Sequence, residues 1–456
     1  MNWPQLLSDH RMARANPMKR QAHRLPWQTD YDRITFSSAF RRLQDKTQVF
    51  PLSSSDYVRT RLTHSMEAAT VAKSLGGMVG VYLKDKGLPE DIHPLEVGMI
   101  VSAAALAHDI GNPPFGHSGE DAIQTWFKKS KSVETHCESM TPRQRADFER
   151  FEGNAQGFRI LTRLQMYKEE GGMQLTAATL GAFSKYPVQV RLESEPDSKD
   201  VNVKKFGFFQ SEQGRFDELA HQLGLLSIGG DRGGWCRHPL AYLVEAADDI
   251  CYRIVDFEDG FQQGLIDLDT AVEYLAVIGD RDKNLQRVAK EASKRDKINV
   301  LRSIAISNAI DEAARVFIEE LPKIMNGEFR DDLMSKTACH SAFEKIKEIQ
   351  VTEIYKNQRV LRVEAAGFTV IGGLLEAFFG AVSEVAAAIE KTGSSKNAPK
   401  ECKKLCDLIP REFLGPGELP LIDPYPRLLG ITDYVCGMTD SFALDLFRHI
   451  SGISLP

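Results

Sequence analysis

Apolar residues along this chain recur mainly at steps of three and four, the spacing of one face of an α-helix. The pattern predicts helices at about 30–47, 57–86, 93–109, 118–130, 142–168 and 173–184. A long helix is expected at 238–260, and others at 267–278, 282–325, 330–349, 363–392, 400–408 and 424–451. Alternating, strand-like stretches are few. The clearest are VQVRL and KFGFF within 185–214, parted by a polar tip, which read as one small β-hairpin or a mobile loop. Residues 1–29, with Pro4, Pro17 and Pro26, read as an irregular arm, and TGSSKNAPK at 392–400 as the best linker. The expected fold class is all-α, with the arm at 1–29, a core at 30–260 and a C-terminal helical region at 261–456.

Composition narrows this picture. The 456 residues are 42% hydrophobic and 26% charged, as in an ordinary globular chain, and the net charge of −6 argues against a strongly basic nucleic-acid-binding protein. No run of 18 apolar residues occurs, so no membrane span is expected. The polar, basic N-terminus lacks the apolar segment of a signal peptide. Seven scattered cysteines without a C-x-x-C pair read as reduced thiols in a cytoplasmic chain.

Three helix faces carry chemistry. In RTRLTHSMEAATVAKSL (59–75), Arg61 and His64 head a face continued by Ala68, Val71 and Leu75. His64 alone reads as a core-edge histidine. In 95–123, Val97, Val101, Ala104 and His108 share a buried face, and Asp109 follows about 100° round the helix. Gly111, Asn112, Pro113 and Pro114 then end that helix, so imidazole and carboxylate can reach one point beyond it. Such a pair suits a divalent ion such as Mn²⁺, Mg²⁺, Fe²⁺ or Zn²⁺, or, more plainly, an Asp capping a turn over a packed His. In 238–259, Asp248 interrupts the stripe of Leu240, Val244, Ala247, Cys251 and Val255. A buried carboxylate there needs a cation, a proton or a metal. Asp249 points elsewhere and reads as solvated.

The order His64, His108-Asp109, Asp248 on a helical chain resembles the HD-domain metal-dependent phosphohydrolases. FRRLQDKTQVFPL, RTRLTHSMEA, AHDIGNPPFGHSGE, LGAFSKYP and EAADDICYRIVDFED resemble the bacterial dGTP triphosphohydrolases, in blocks from about residue 33 to beyond 440. The resemblance implies an HD core at 30–260, with the region 261–456 completing the nucleotide pocket and oligomer contacts. It implies hydrolysis of dGTP, or of dNTPs generally, to deoxynucleoside and triphosphate. The alternatives are a 5′-nucleotidase, a phosphodiesterase, or a non-catalytic regulator that binds dNTP or single-stranded DNA. The implied cofactor is a divalent ion, Mg²⁺ or Mn²⁺ first, then Co²⁺, Fe²⁺ or Ni²⁺. A homo-oligomer, probed first as a hexamer, is also implied.

By the same resemblance the metal ligands fall on His64, His108, Asp109 and Asp248. His117 and Glu120 match catalytic positions. Ser118 with Asp121 reads as an N-cap box, which puts His117 just outside a new helix and Glu120 in its first turn. A histidine near neutral pKa suits proton transfer, and a carboxylate can orient its ring. Arg61 can hold phosphate oxygens bidentately, and Lys185 and Tyr186 match a second phosphate-contacting pair. Gln48 and Tyr252 match positions against the deoxyribose, and Tyr355, Glu364 and Arg427 match its base and sugar ends. The basic arm (Arg11, Arg14, Lys19, Arg20, Arg24) offers a weak contact for single-stranded DNA or a subunit, although a solvated tail is the simpler expectation. The eight other histidines show no ligand spacing.

Overall fold

The computed structural model describes residues 1–13, 23–50, 58–136, 138–166, 168, 170–192, 200–229 and 233–454. The all-α expectation holds: the described elements are helices and helical turns, with only isolated β-bridges among them. The elements that build the site are α1 (Arg61–Leu83), α2 (Pro94–Ala107), α3 (Gly116–Lys129), α4 (Gly153–Arg159), α5 (Ala177–Phe183), α6 (Pro239–Gln262), α7 (Lys294–Met325), α8 (Gln358–Thr392), α9 (Pro424–Cys436) and α10 (Asp440–Ile450).

Two apolar cores divide the molecule. One gathers α1, α2, α5, α6 and α7 around residues such as Leu75, Val101, Leu243 and Phe317. The other gathers α3, α8, α9 and α10 around Ile123, Phe378, Val435 and Ala443. Helices α1 and α2 form the tightest pair, and they run antiparallel. A Cβ on Gly80 would sit 2.0 Å from the Pro94 carbonyl, and one on Gly98 2.6 Å from that of Lys73. Only glycine permits this crossing, and it is what carries the start of α1 to the end of α2. The Ser102 hydroxyl ties the pair again by donating to the Ala69 carbonyl at 2.9 Å.

Several expectations are corrected. Residues 1–13 are not a solvated tail. Trp3, Leu6, Leu7 and Met12 are buried, and Arg11 pairs inside the protein with Asp30 while donating to the Gln174 carbonyl at 2.6 Å. Arg24 does stay at the surface, paired with Asp32. Arg14, Lys19 and Arg20 lie outside the described residues. Among the described residues of 185–214 no hairpin forms. Val188 bridges Gly234 and accepts from the Gly207 amide, and Phe206, Phe208 and Phe209 are buried in the cores. The polar tip at 193–199 lies outside the described residues.

Three expected long helices are broken although the apolar period continues, two of them at a side-chain cap. Helix 142–168 becomes Pro142–Glu149 and α4, followed by a π turn. Helix 282–325 becomes Arg281–Val288 and α7, with the Ser293 side chain capping α7. Helix 424–451 becomes α9 and α10, parted at Gly437 and capped by Thr439. A helix at Gln213–Leu223, not expected from the pattern, ends at left-handed Gly224. The supposed linker at 392–400 is a turn between α8 and the helix Lys400–Cys406 packed against it.

The sequence suggested no segment fit for a membrane, yet α8 is long and apolar enough to cross one by length and composition. Half of its most apolar window is buried in the protein, where it packs on α3, α9 and α10 as a core helix does.

The two cores are joined by a buried charge cluster. The Arg159 guanidinium donates to both Asp433 oxygens, at 2.9 and 2.8 Å, and to Glu212 at 2.6 Å. Gln156 adds a bond to Asp433 at 2.9 Å. Arg159→Ala leaves Asp433 buried without its cation and Glu212 with only the longer contact to Arg163, so urea denaturation should show a loss of about 3–5 kcal/mol. A loss below about 1 kcal/mol, the scale of an exposed pair, would contradict this role.

Candidate metal centre and phosphate-binding cavity

His64 sits in the first turn of α1, buried, because the Thr60–Thr63 capping box starts the helix there. His108 lies just past α2. Its Nδ1 meets the Ala105 carbonyl at 2.7 Å, which leaves Nε2 facing outward from the helix end. Asp248 projects from the middle of α6. Its Oδ1 lies 3.1 Å from His64 Nε2 and 3.3 Å from His108 Nε2, and its Oδ2 accepts from Lys185 Nζ at 2.7 Å. The ligand atoms of His64, His108 and Asp248 fall within 4.8 Å of one another. Two imidazole nitrogens and one carboxylate fit a single divalent ion.

Electrostatics agree with this grouping. Burial would raise the Asp248 pKa, but Lys185 and His108 outweigh it and hold the carboxyl well below its usual range. Asp109 behaves alike: burial is overcome by Arg61, His108 and His64, and its pKa falls to about 2. Asp109 is the expected ligand that stands slightly apart. One oxygen pairs with Arg61 Nη1 at 2.9 Å, the other takes the Asn112 amide, and His108 Nε2 is 3.5 Å away. Asp249 is a correction. It is half-buried rather than solvated, and burial, then Glu245 and Asp248, push its pKa up to about 7.

Helix α3 supplies the next groups. It begins at Gly116, two residues before the expected cap at Ser118, with Phe115 in the left-handed region at φ 62°. His117 therefore belongs to the first turn of the helix. Its ring is 76% exposed, and Nδ1 lies 3.3 Å from Glu120 Oε2. Glu120 is buried, and its other oxygen accepts the Gly153 amide at 2.8 Å. Burial would raise its pKa, but the His117 contact and Lys205 lower it.

These residues line a cavity of about 190 Å³ with Gln48, Arg61, Lys185, Tyr186 and Tyr252. A second cavity of about 180 Å³ adjoins it, sharing Gln48, Arg61, His117 and Tyr252, and adds Tyr355 and Glu364. Tyr252 and Tyr355 stack there with ring centroids 6.1 Å apart. Arg427 lines neither cavity. Its Nη1 donates to the carbonyls of Leu421 and Ile422 at 2.8 and 2.6 Å, next to its own helix start.

Asn112, Glu152, Asn154 and Lys205 line the first cavity and were not expected. Glu152 holds Lys205 at 2.9 Å beside Glu120. A lysine ahead of an apolar FGFF run carries no local signal of such a role.

A helical core that brings two histidines and a carboxylate to one point defines an HD-domain protein. The HD-domain family model matches residues 61–149, a span that includes His64, His108, Asp109, His117 and Glu120 and stops short of Asp248. A deoxyguanosinetriphosphate triphosphohydrolase-like protein of Synechocystis sp. is 42% identical over 459 residues, covering 100% of both chains. One from Pseudomonas aeruginosa is 39% identical over 460 residues, again across both chains. A deoxyguanosinetriphosphate triphosphohydrolase of Enterobacter sp. is 30% identical, over 99% of this chain and 98% of its own. The chain belongs to this deoxyguanosinetriphosphate triphosphohydrolase family.

If the cluster is a metal centre, Asp248→Ala should abolish uptake of Mn²⁺ measured by elemental analysis, with the helical signal retained. Full occupancy in that variant would sink the assignment.

Proposed function

We propose that this chain hydrolyses deoxynucleoside triphosphates, dGTP among them, to deoxynucleoside and inorganic triphosphate. The observation that carries this reading is the convergence of His64, His108 and Asp248 beneath a cavity walled by the cations of Arg61, Lys185 and Lys205. With Asp109 beside them, these residues would hold a divalent ion, Mg²⁺ or Mn²⁺ first. When bound, such an ion polarises a phosphate oxygen and acidifies water. The names of the relatives support the same substrate class.

The chain's own residues account for the rest. Arg61 presents a fork that suits bidentate phosphate recognition, while Lys185 and Lys205 add point charges. Tyr186 lines the same wall. The departing 5′-oxygen must gain a proton. The exposed ring of His117 can deliver it, with Glu120 fixed by Gly153 and gripping the ring. Gln48 and Tyr252 stand where the two cavities meet, the natural position for the sugar. Tyr355 and Glu364 line the outer cavity, beyond the phosphates, and would face the sugar and base.

The test is a product assay over the four dNTPs and GTP with Mg²⁺, Mn²⁺ and Co²⁺. Triphosphate should be released from dNTPs, GTP should be a poor substrate, and removal of the Tyr252 ring should narrow the gap between dGTP and GTP. His117→Ala should lower kcat by about 10²–10⁴-fold while metal binding survives. Orthophosphate as first product, turnover of nucleoside monophosphates alone, or equal use of GTP and dGTP would overturn the reading.

A further inference from the structure

We propose that Asp440 is the positioning residue that holds the start of α3, which carries His117, and the Gln48 wall in register. The proposal rests on the functional reading above. Asp440 is the first residue of α10, 325 positions from Phe115 and 393 from Thr47, and its side chain is buried. One oxygen, Oδ1, accepts the Phe115 amide at 2.9 Å. The other, Oδ2, accepts the Thr47 amide at 3.0 Å and the Thr47 hydroxyl. Three donors from two distant segments thus converge on one carboxylate, an acceptor-only group with lone pairs for all of them.

Both segments matter to the proposed chemistry. Phe115 is a non-glycine residue at φ 62°, a conformation that L side chains disfavour and that needs outside support. It is the pivot on which α3 starts, with His117 two residues on and Glu120 five. Rotation at Phe115 would swing the His117 ring across the cavity. Thr47 precedes Gln48 in the wall shared by the two cavities. Asp at the first position of a helix would be explained by the helix dipole alone. The dipole gives no reason for Phe115 and Thr47 to meet on its carboxylate.

Neighbouring contacts act in the same direction. Lys46 Nζ donates to the carbonyls of Asn112, at 2.6 Å, and Cys436, at 2.9 Å. The Cys436 thiol donates to the Gly111 carbonyl at 3.3 Å. The junction between α9 and α10 therefore grips 46–47 and 111–115 at once, and Asp440 is the member that reaches the pivot itself.

The experiment uses the full-length chain. In Asp440→Asn the amide oxygen should stay with the two Thr47 donors, leaving an NH₂ against the Phe115 amide. Hydrogen exchange should then quicken by about tenfold or more in the peptide covering 112–118, and not in α1. kcat for dGTP should fall about 10–100-fold, as for a displaced catalytic group, with metal stoichiometry unchanged. Combined with His117→Ala, the same substitution should cost no more than about a further twofold. Thr47→Val removes one donor on the other arm and should raise KM by about threefold or more while kcat changes less than about twofold.

Unchanged exchange at 112–118, a kcat loss that adds in full to that of His117→Ala, or equal changes of kcat in both variants would overturn the proposal. If Asp440→Asn does not fold, the KM-against-kcat split in Thr47→Val decides. If the unmodified chain turns over no deoxynucleoside triphosphate, the functional reading fails, while the exchange comparison still decides whether Asp440 holds the start of α3.

Discussion

The candidate site is organised around one half-buried charge, the carboxylate of Asp248. Its side chain is only 25% exposed and projects from the stripe of α6 that otherwise builds a core. An ionised group in that position is costly unless charges and hydrogen bonds surround it. The chain recruits them from three other places: the first turn of α1, the end of α2 and the segment after α5. The glycine crossing of α1 and α2, the capping box before His64 and the Ala105 contact behind His108 each serve to deliver one partner. The lysine that balances the carboxylate also faces the cavity above it.

A second layer follows from the division into two cores. The cluster around Asp248 belongs to the core of α1, α2 and α6. His117 and Glu120 belong to α3, which packs with α8 in the other core. The cavity is the seam between them, so its geometry depends on what locks the cores together. Arg159 with Asp433 does this in the interior, and Lys46, Cys436 and Asp440 do it at the cavity's edge. The C-terminal helices thus take part in the site although none of their residues is among the clustered ligands.

The sequence was most legible where a polar residue breaks an apolar period. His64, His108 and Asp248 stood out for that reason, and the structure gathers them within 4.8 Å. Asp109 was readable as the neighbour of His108, but its turn toward Arg61 depends on the approach of another helix. Arg61 stood out beside His64 on its helix face, while Gln48, Lys185, Tyr186, Tyr252, Tyr355 and Glu364 came only from motif resemblance, and the structure brings all seven to the two cavities. Arg427 came the same way and lines neither cavity, its Nη1 donating to the Leu421 and Ile422 carbonyls. Lys205 and Asp440 gave no signal, since each acts through partners far along the chain. Helix breaks at 150–152, 289–293 and 437–439 were missed because the apolar period continues across them. The start of α3 was misplaced because a left-handed Phe115, which local propensity disfavours, launches it.

The proposed cleavage into deoxynucleoside and triphosphate requires water to attack the α-phosphorus, so that the nucleoside leaves with its own 5′-oxygen. Hydrolysis of dGTP in ¹⁸O-labelled water, with both products analysed by mass spectrometry, tests this most directly. The label should appear in the triphosphate, with the deoxynucleoside unlabelled. Label on the nucleoside 5′-oxygen, or in orthophosphate or pyrophosphate formed as the first product, would contradict it.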